Sequence, residues 1–508
     1  MRVSSRVCAP GAPTNRGRCG VRALAGFLLY FVGVDLRDRG TWAAFADPSL
    51  RLVCGIALVA AVALPFSMGG CSESGGTGGE GGAGGSAGTG GAGGAAGFGG
   101  LGGSGGAIAD CTLATEWETT GSWGSEALAY GNVVLMQNAL DGSLWQAVSR
   151  THLGETPQYD IALFRSGDGG SSWAHVSTWD FPAERRGWAN DAVMMEDGTV
   201  YVVLREYTFI NGAVGDRYVR LLRYPPGGSL VEAGTFSPDG STDTRSLTMA
   251  ARGGTPYFIA FNATAVPPDY HIVKYENGVL DSVDIVRYLN ETNEIYLRDI
   301  AVAPNGKLWT AGQGYDTGAA AWRATIWEEG DSGFSLLAEL NANPAVKESD
   351  TVMALAFDAD DRFWTSYYTM PHFPDLIRRW RAGYGAVDAP DTSFGLNDDF
   401  SLDPSKASDT NRIVVHPSGA VFTGGYAIDA DSWQWGIVRK GATAGFEISD
   451  KFIRGGDGTY RTDMSSMLVD EDKNVWVAYM SRPAVGWSPK WTTILSCRAD
   501  GIDTGPLC

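Results

Sequence analysis

The residues best suited to chemistry in this chain are arginines and aspartates that recur at similar intervals through its second half. They are Arg245, Arg298, Asp299, Asp350, Asp409, Arg412, Arg461 and Asp463. A guanidinium group binds a carboxylate through two parallel hydrogen bonds, so several arginines brought together would suit an anionic ligand. Arranged with the aspartates around one axis, they would instead neutralise each other as part of the architecture. The pattern assigns a catalytic role to none of them.

Metal chemistry has no support in the sequence. The chain contains 7 cysteines and 5 histidines, but no Cys-x-x-Cys motif and no Cys/His cluster. Zinc sites need three or four such ligands close together. We therefore predict no metal site and no cofactor.

A motif that occurs seven times must position these residues. It consists of an apolar run, a tight turn and a strand that opens with an aromatic residue; the clearest copy is the segment 303–310, Ala-Pro-Asn-Gly-Lys-Leu-Trp-Thr. Asn-Gly between apolar residues is a strong hairpin signal, and its usual turn puts both central residues at positive φ. The turn tips are Gly142, Gly198, Gly254, Gly306, Asp361, Gly419 and Lys473. Three positions after each tip lies Trp145, Tyr201, Tyr257, Trp309, Trp364, Phe422 or Trp476.

The spacing of this motif predicts the fold. Successive aromatics are 52 to 58 residues apart, and each of the first six repeats contains four strand-like segments. A strand-rich repeat of this length is typical of propeller blades. In the fourth repeat we predict strands over 300–304, 307–312, 323–327 and 334–340. The last repeat lacks a fourth strand, and Cys111–Trp117 has the pattern of the missing one. The predicted fold is all-β, a seven-bladed β-propeller whose N-terminal strand closes the last blade.

Ring closure bears on the cysteines. It would place Cys111 and Cys497 on adjacent strands, where a disulfide could form in an oxidising compartment. Cys508 competes for the same partner, and the sequence does not choose between the two.

In such a ring, the charged residues named first would come just before the first strand of their blades. They would then surround the mouth of the central channel, where propellers usually bind ligands. The connections after the second strands carry aromatic residues such as Tyr207, Phe209 and Tyr367. Aromatic faces beside polar groups are common in carbohydrate and peptide sites, although packing between blades would explain the same residues.

The segment Ser166-Gly-Asp-Gly-Gly-Ser-Ser-Trp173 lies between the third and fourth strands of the first repeat. It resembles the Asp-box, the bacterial neuraminidase repeat of sialidase-type propellers, at Ser166, Asp168, Gly170 and Trp173. In that family the box is structural and lies away from the active site. Sialidases bind the substrate carboxylate with three arginines and use a Tyr nucleophile with a Glu partner. No Tyr/Glu pair of this chain can be assigned from the sequence.

The amino-terminal region has features of export. Residues 51–71 contain a basic residue, an apolar run and the ending Met-Gly-Gly-Cys, which resembles a bacterial lipobox with Met in place of the usual Leu. The resemblance implies a lipoprotein signal peptide with lipidation at Cys71. Residues 1–50 form a leader of doubtful status. Its apolar run 21–34 is either a short transmembrane segment or the product of a start codon assigned too early.

Composition separates the remaining domains. Residues 72–110 are almost entirely Gly, Ala, Ser and Thr, which predicts a disordered tether, and residues 111–508 form the propeller. The net charge of −19 and the absence of a basic stripe exclude nucleic acid as a partner.

We predict an exported monomer at the outer membrane or surface of a double-membraned bacterium, held to the membrane through its lipid anchor only. Its propeller would bind a glycan or a surface protein. The alternative is a sialidase-like exoglycosidase that acts on a carboxylated sugar. The sequence favours binding over catalysis, because it shows no complete catalytic set.

Overall fold

The structure is a computed structural model. It describes residues 117–125, 128–153, 157–210, 213–238, 241–286, 294–316, 321–340, 348–371, 379–388, 395–396, 400–456, 458–484 and 491–497. The leader, the signal segment and the tether lie outside these ranges. Within these ranges, no helix is long and apolar enough to cross a membrane.

The described elements are all β-strands. In chain order they are β1 Trp117–Trp123, β2 Leu128–Gln137, β3 Leu144–His152, β4 Gln158–Ser166, β5 Ala174–Asp180, β6 Arg185–Met194, β7 Val200–Ile210, β8 Ala213–Tyr224, β9 Val231–Phe236, β10 Thr244–Arg252, β11 Thr255–Asn262, β12 Asp269–Glu276, β13 Val279–Val286, β14 Ile295–Val302, β15 Leu308–Asp316, β16 Ala321–Gly330, β17 Gly333–Leu340, β18 Glu348–Phe357, β19 Arg362–Pro371, β20 Arg379–Ala386, β21 Gly395–Leu396, β22 Ser408–Val415, β23 Val421–Ile428, β24 Gln434–Ala442, β25 Gly445–Phe452, β26 Tyr460–Val469, β27 Val475–Pro483 and β28 Trp491–Cys497.

These strands form seven antiparallel four-stranded sheets arranged as the blades of a propeller. Blades 1 to 6 are the successive quartets β2–β5, β6–β9, β10–β13, β14–β17, β18–β21 and β22–β25. Blade 7 has the order β26-β27-β28-β1, so the N-terminal strand completes the last blade. The predicted fold and its closure are confirmed.

The closing strand continues beyond the predicted segment, of which residues 111–116 lie outside the described ranges. It spans Trp117–Trp123 and pairs with β28 from Trp117 opposite Cys497 to Trp123 opposite Thr492. Cys497 is disulfide-bonded. Both Cys111 and Cys508 lie outside the described residues, so the identity of its partner stays a prediction.

The ring has two distinct ends. The first and third strands of each blade run away from what we call the upper end, and the second and fourth run toward it. The upper end therefore carries the connections between second and third strands and those between blades. The lower end carries the turns between first and second strands and those between third and fourth strands.

The seven turn tips adopt the conformation that the motif requires. All have positive φ, from 54° at Asp361 to 86° at Gly419. In six of the turns the preceding residue is not at positive φ, which differs from the predicted Asn-Gly geometry. Gly306 N–H donates to Ala303 O at 2.9 Å, and Ala303 N–H donates to Lys307 O at 2.9 Å. These bonds define a three-residue loop, in which a type I turn is followed by one left-handed residue.

The aromatic residue after each tip packs inside its blade. Each is at most 8% exposed, and three of the tryptophans, Trp309, Trp364 and Trp476, are at most 1% exposed. The indole N–H of Trp364 donates to Asp358 at 2.9 Å, and that of Trp476 donates to Asp470 at 2.7 Å. A buried indole N–H needs such a partner, so in blades 5 and 7 the repeated tryptophan and the acidic residue before the turn stabilise each other.

Candidate functional site

The eight predicted site residues lie within strands or at their ends, not before them. In blade 4, β14 begins at Ile295, five residues before the predicted strand. The reason is a β-bulge between Leu297 and Asp299, which interrupts the alternation of inward and outward side chains. Every first strand has such a bulge, between Tyr130/Val133, Ala189/Asp191, Ser246/Met249, Leu297/Asp299, Val352/Ala354, Thr410/Arg412 and Met464/Ser466.

The bulges link neighbouring blades around the ring. Asn132 donates from its amide to Ala189 O at 3.2 Å, and Asn411 donates to Met464 O at 2.5 Å. Ser465 closes the circle from blade 7 to blade 1 by donating to Val133 O at 2.9 Å. A polar residue at the bulge therefore satisfies a backbone group of the next first strand.

Two aspartates that directly follow a bulge serve the same purpose. Met249 N–H donates to Asp191 at 3.0 Å, and Leu355 N–H donates to Asp299 at 2.8 Å. Each carboxylate thus connects its blade to the next one. Burial raises the pKa of Asp191, and it raises the pKa of Asp299 to about 6.

Arg412 faces these carboxylates from across the ring. Its Nη2 lies 3.5 Å from Asp191 Oδ1, which joins blade 6 to blade 2. Its charge lowers the pKa of Asp191 and of Asp299, although burial outweighs it at both. A central arginine shared by two buried carboxylates supports the architectural interpretation of this part of the predicted site.

The other predicted residues occupy different levels. Arg298 lies in the bulge of blade 4, whereas Arg461 precedes the bulge residue of blade 7 by four positions. The strand rise puts Arg461 about 13 Å above its bulge. The four arginines, which we expected at equivalent places, therefore do not form one ring. Asp350 and Asp409 are 1% and 4% exposed, which weighs against direct contact with a ligand. Asp463 accepts the Asn411 amide at 2.9 Å.

A more promising site lies at the upper end of blades 2 and 3, where Arg245 meets three arginines that the sequence did not single out. We call Arg186, Arg205, Arg217 and Arg245 the arginine cluster. Asp243 accepts two hydrogen bonds of 2.9 Å from Arg245 and one of 2.6 Å from Arg217.

The charges of the arginine cluster lower the pKa of the Asp243 carboxyl group. Burial alone would raise the pKa of Asp243. The hydrogen bond and charge of Arg245, followed by the charges of Arg217 and Arg205, outweigh burial and hold the pKa below its usual value.

Aromatic rings surround the cluster. The Arg186 guanidinium lies 3.4 Å from the ring centroid of Phe209 and 5.2 Å from that of Tyr159. Trp188 lies under Arg205 at 5.2 Å and contacts Tyr207 edge to face at 6.0 Å. Burial raises the pKa of Tyr207 to about 12, so its hydroxyl stays protonated.

Unlike Arg217 and Arg245, which pair with Asp243, Arg186 has no carboxylate partner among the described residues. It is half-buried and forms no hydrogen bond or ion pair within the described part of the chain. Desolvated cations over aromatic faces retain a strong attraction for an anion. The arrangement can bind a carboxylate and support an apolar ring face beside it.

A Tyr–Glu pair lies on the other side of β7. Tyr218 donates from its hydroxyl to Glu206 at 2.8 Å, but Glu206 is fully buried and also ion-paired with Arg185 at 3.0 Å and with Arg220. Adjacent residues of a strand point to opposite faces, so Glu206 points away from Arg205 and Tyr207. A carboxylate neutralised by two arginines is a poor general base, which favours binding over catalysis here.

The sequence carried a signal for the arginine cluster. Basic and aromatic residues alternate two positions apart in Arg186-Gly-Trp188 and Arg205-Glu-Tyr207-Thr-Phe209. Such spacing places them on one strand face. Among the aromatics expected at the second connections, Tyr207 and Phe209 lie in the site, whereas Tyr367 is 1% exposed and belongs to the core.

Hydrogen bonds to Asp168 hold the turn after β4 together. Asp168 accepts Ser172 N–H at 2.9 Å and the Ser172 hydroxyl at 2.6 Å. These bonds, with one from Ser166, lower the pKa of Asp168 to about 2. Gly170 has φ of 82° and lies against the Trp476 ring of blade 7, where a Cβ would not fit. The turn is therefore part of the contact between blades 1 and 7, and lies at the lower end.

No family model and no curated protein matches the chain. Among solved structures, the polysaccharide lyase Uly1 is similar at a TM-score of 0.42 with 12% identity, over 69% of this chain and 87% of that one. The NanB sialidase of Streptococcus pneumoniae is similar at a TM-score of 0.39 with 11% identity, over 75% of this chain and 70% of that one. The α-L-arabinanase of Penicillium chrysogenum is similar at a TM-score of 0.40 with 12% identity, over 62% of this chain and 93% of that one. These TM-scores are below 0.5, so the similarities carry no information about the ligand of this chain.

Proposed function

We propose that this chain is a lipid-anchored surface protein of a double-membraned bacterium whose propeller binds a carboxylate-bearing glycan at the arginine cluster. The export segment 51–71 and the Gly-rich segment 72–110 motivate the anchor. The observation that supports the ligand is the half-buried Arg186, which lies over the rings of Phe209 and Tyr159 and has no carboxylate partner among the described residues. A carboxylate would accept from its guanidinium, and a sugar face would pack on the neighbouring rings.

The test combines a glycan array with quantitative binding. We expect the wild-type propeller to bind acidic glycans on the array and not their neutral counterparts. Arg186→Gln keeps much of the side-chain length but removes the charge, and we expect affinity to fall about tenfold or more.

A matched control is available at the other end of the ring. Arg165 is paired with Asp141 at 2.7 Å at the lower end, and both side chains are more than 40% exposed. Arg165→Gln makes the same chemical change far from the cluster, so it should leave binding unchanged. Equal affinities for wild type and Arg186→Gln would refute the site.

A sialidase-like exoglycosidase is the second candidate. The Tyr218–Glu206 hydrogen bond near several arginines is the observation in its favour. Because Glu206 is also held by Arg185 and Arg220, we expect no turnover of a fluorogenic sialoside. Turnover that Tyr218→Phe abolishes would establish the enzyme and displace the binding proposal.

A further inference from the structure

A buried ion network lies on the face of blade 2 opposite to the arginine cluster. Its centre is Glu206, which is fully buried. Glu206 accepts hydrogen bonds from Arg185 at 3.0 Å, from the Tyr218 hydroxyl at 2.8 Å and from Arg220. A carboxylate offers about four acceptor sites, so these donors leave it little capacity for a further hydrogen bond. We call Arg185, Glu206, Tyr218 and Arg220 the Glu206 network.

The hydrophobic clusters identify the two faces of blade 2. Leu204 belongs to the cluster shared with blade 1, and Val203 belongs to the cluster shared with blade 3. Successive side chains of a strand point to opposite faces. Glu206 therefore faces blade 1, whereas Arg205 and Tyr207 face blade 3, from which Arg245 and Asp243 approach.

Three strands of blade 2 carry a network residue next to a member of the arginine cluster. The adjacent pairs are Arg185 and Arg186 on β6, Glu206 and Arg205 on β7, and Tyr218 and Arg217 on β8. The Arg185 guanidinium also lies 4.9 Å from the ring centroid of Tyr218. Within β7, which is described throughout, Leu204 is the last residue of a buried hydrophobic cluster. The Glu206 network thus joins the three strands where apolar packing ends and the arginine cluster begins.

The charges of the network are balanced. Arg220 also pairs with Glu232 of β9, so two arginines meet two carboxylates, and its guanidinium lies 5.2 Å from the ring centroid of Trp179 in blade 1. Removing charged groups from water costs about as much as their attraction returns, so a buried ion network adds little net stability. The effect to expect from this network is on the geometry of the strands that it joins.

We infer, on the basis of the proposed function, that Glu206 is a positioning residue for the arginine cluster. By holding β6, β7 and β8 together from the blade 1 side, it sets the distances between Arg186, Arg205 and Arg217 on the other side. Guanidinium groups repel each other, so without this support they would move apart, and a carboxylate would reach fewer of them. The Tyr218–Glu206 pair then acts on binding through geometry and does not contact the ligand.

The test is the affinity of Glu206→Gln for galacturonic acid, measured by isothermal titration calorimetry with the full-length protein well below its unfolding temperature. Charge and geometry predict opposite signs. Removal of a negative charge near an anion site should by itself strengthen binding, whereas loss of positioning should weaken it. We expect the affinity of Glu206→Gln to fall about fivefold or more. Tyr218→Phe removes one hydrogen bond and no charge, so it should weaken binding about two- to threefold.

A matched control lies at the lower end of the ring. Glu329 of blade 4 accepts a hydrogen bond from Arg252 of blade 3 at 3.1 Å, far from the arginine cluster. Glu329→Gln also removes a carboxylate from an arginine. Both Glu206→Gln and Glu329→Gln should lower the melting temperature, but only Glu206→Gln should weaken binding.

The outcomes separate the positioning role from the proposed function. Binding that depends on Arg186 but is unchanged or stronger in Glu206→Gln would overturn the positioning role alone. Equal losses of affinity in Glu206→Gln and Glu329→Gln would also overturn it, because they would reflect general destabilisation. If thermal melts show that Glu206→Gln does not fold, Tyr218→Phe decides, and unchanged affinity of that variant would overturn the role.

Two results would reach further. The absence of binding by the wild-type protein would overturn both the positioning role and the proposed function. Turnover of a fluorogenic sialoside that Tyr218→Phe abolishes would make the Tyr218–Glu206 pair catalytic, and it would overturn the positioning role as well.

Discussion

Arg412 shows how one side chain can hold the interior of the ring together. It lies opposite two buried carboxylates that already accept backbone N–H groups from the next blades. Removing a cation from water costs several kcal/mol, and attraction to Asp191 and Asp299 offsets that cost. The sequence left both ligand binding and an architectural role open for this residue, and a cation shared by two carboxylates has little capacity left for an added anion.

The first prediction concerns Arg412→Ala. Without the cation, Asp191 and Asp299 would be buried charges with backbone N–H groups but no counterion, so we expect a loss of about 3–5 kcal/mol of unfolding free energy near pH 7. The loss should shrink at lower pH, where both carboxyl groups become protonated. Urea denaturation at several pH values would measure it. Arg412→Lys keeps the charge and should lose less.

The sign of the pH dependence follows from the raised pKa of Asp299. An acid whose pKa is about 6 in the folded state and lower in the unfolded state binds more protons when folded. Its contribution is therefore most favourable below the unfolded value and is lost as pH rises toward 6. In Arg412→Ala the pH range over which this stability is lost should extend to higher pH, because the cation that lowers the pKa of Asp299 is gone. A loss equal at all pH values would contradict this account.

The turns show which part of the fold is readable from local sequence. All seven tips were identified from residue types alone, and all seven have positive φ. Five of them are glycine, whereas Asp361 and Lys473 hold φ of 54° and 65° with a side chain present. Left-handed backbone costs a non-glycine residue about 1–2 kcal/mol.

The second prediction follows from that cost. Lys473→Gly should stabilise the protein by about 0.5–1 kcal/mol, since relief of the strain exceeds the entropy that glycine adds to the unfolded chain. The bond from His416 to the Lys473 carbonyl, at 2.9 Å, uses the backbone and is unaffected. Gly306→Ala is the reciprocal control: its Cβ would meet no atom, but φ is 79°, so it should destabilise. A lower melting temperature for Lys473→Gly, or a higher one for Gly306→Ala, would refute the argument.

The first strands show why the site was harder to predict than the fold. Alternation of apolar and polar residues locates a strand, and a bulge shifts that alternation by one residue. The polar residues upstream of each bulge, such as Arg461 in blade 7, consequently read as loop. Arg298 lies within a bulge and Arg461 lies four positions before one. Nothing in the local sequence distinguishes these two positions.

The closing strand gives the third prediction. Deletion of Trp117–Trp123 would leave β28 as an open edge and expose residues now packed by Trp117 and Trp123. We expect a drop in melting temperature of about 5 °C or more and a tendency to associate. A deletion of equal length within 80–95 is the control and should have no effect. Equal melting temperatures for the two deletions would contradict the role of β1.

At the scale of the whole molecule, stability is distributed around the ring. Each of the seven contacts between neighbouring blades contains its own hydrophobic cluster of buried residues. Repeats of this kind could be recognised from spacing alone, because every blade buries similar positions. For the arginine cluster, spacing places the basic and aromatic residues of β6 and of β7 each on one strand face, but it does not show that Arg245 of β10 joins them, because that depends on the packing of blade 3 against blade 2.

The course of the chain also relates the proposed anchor to the proposed site. Because β1 pairs antiparallel with β28, it begins at the lower end, opposite Cys497. The arginine cluster and Arg461 lie at the upper end. A chain that enters the propeller from below leaves the upper end accessible to a large ligand, even when the protein is held at a membrane.

The last prediction tests the anchor itself. If Cys71 is the lipidated residue, Cys71→Ser should abolish labelling by radioactive palmitate and move the protein from the detergent phase to the aqueous phase, since each buried methylene of an acyl chain contributes about 0.8 kcal/mol. Cys54→Ser is a matched control, because Cys54 lies in the same segment but not after Gly-Gly. It should remain labelled and membrane-associated. Glycan binding should be the same in both variants, because the ring is complete without this segment. Loss of label in Cys54→Ser, or its persistence in Cys71→Ser, would show that the protein is held at the surface by other means.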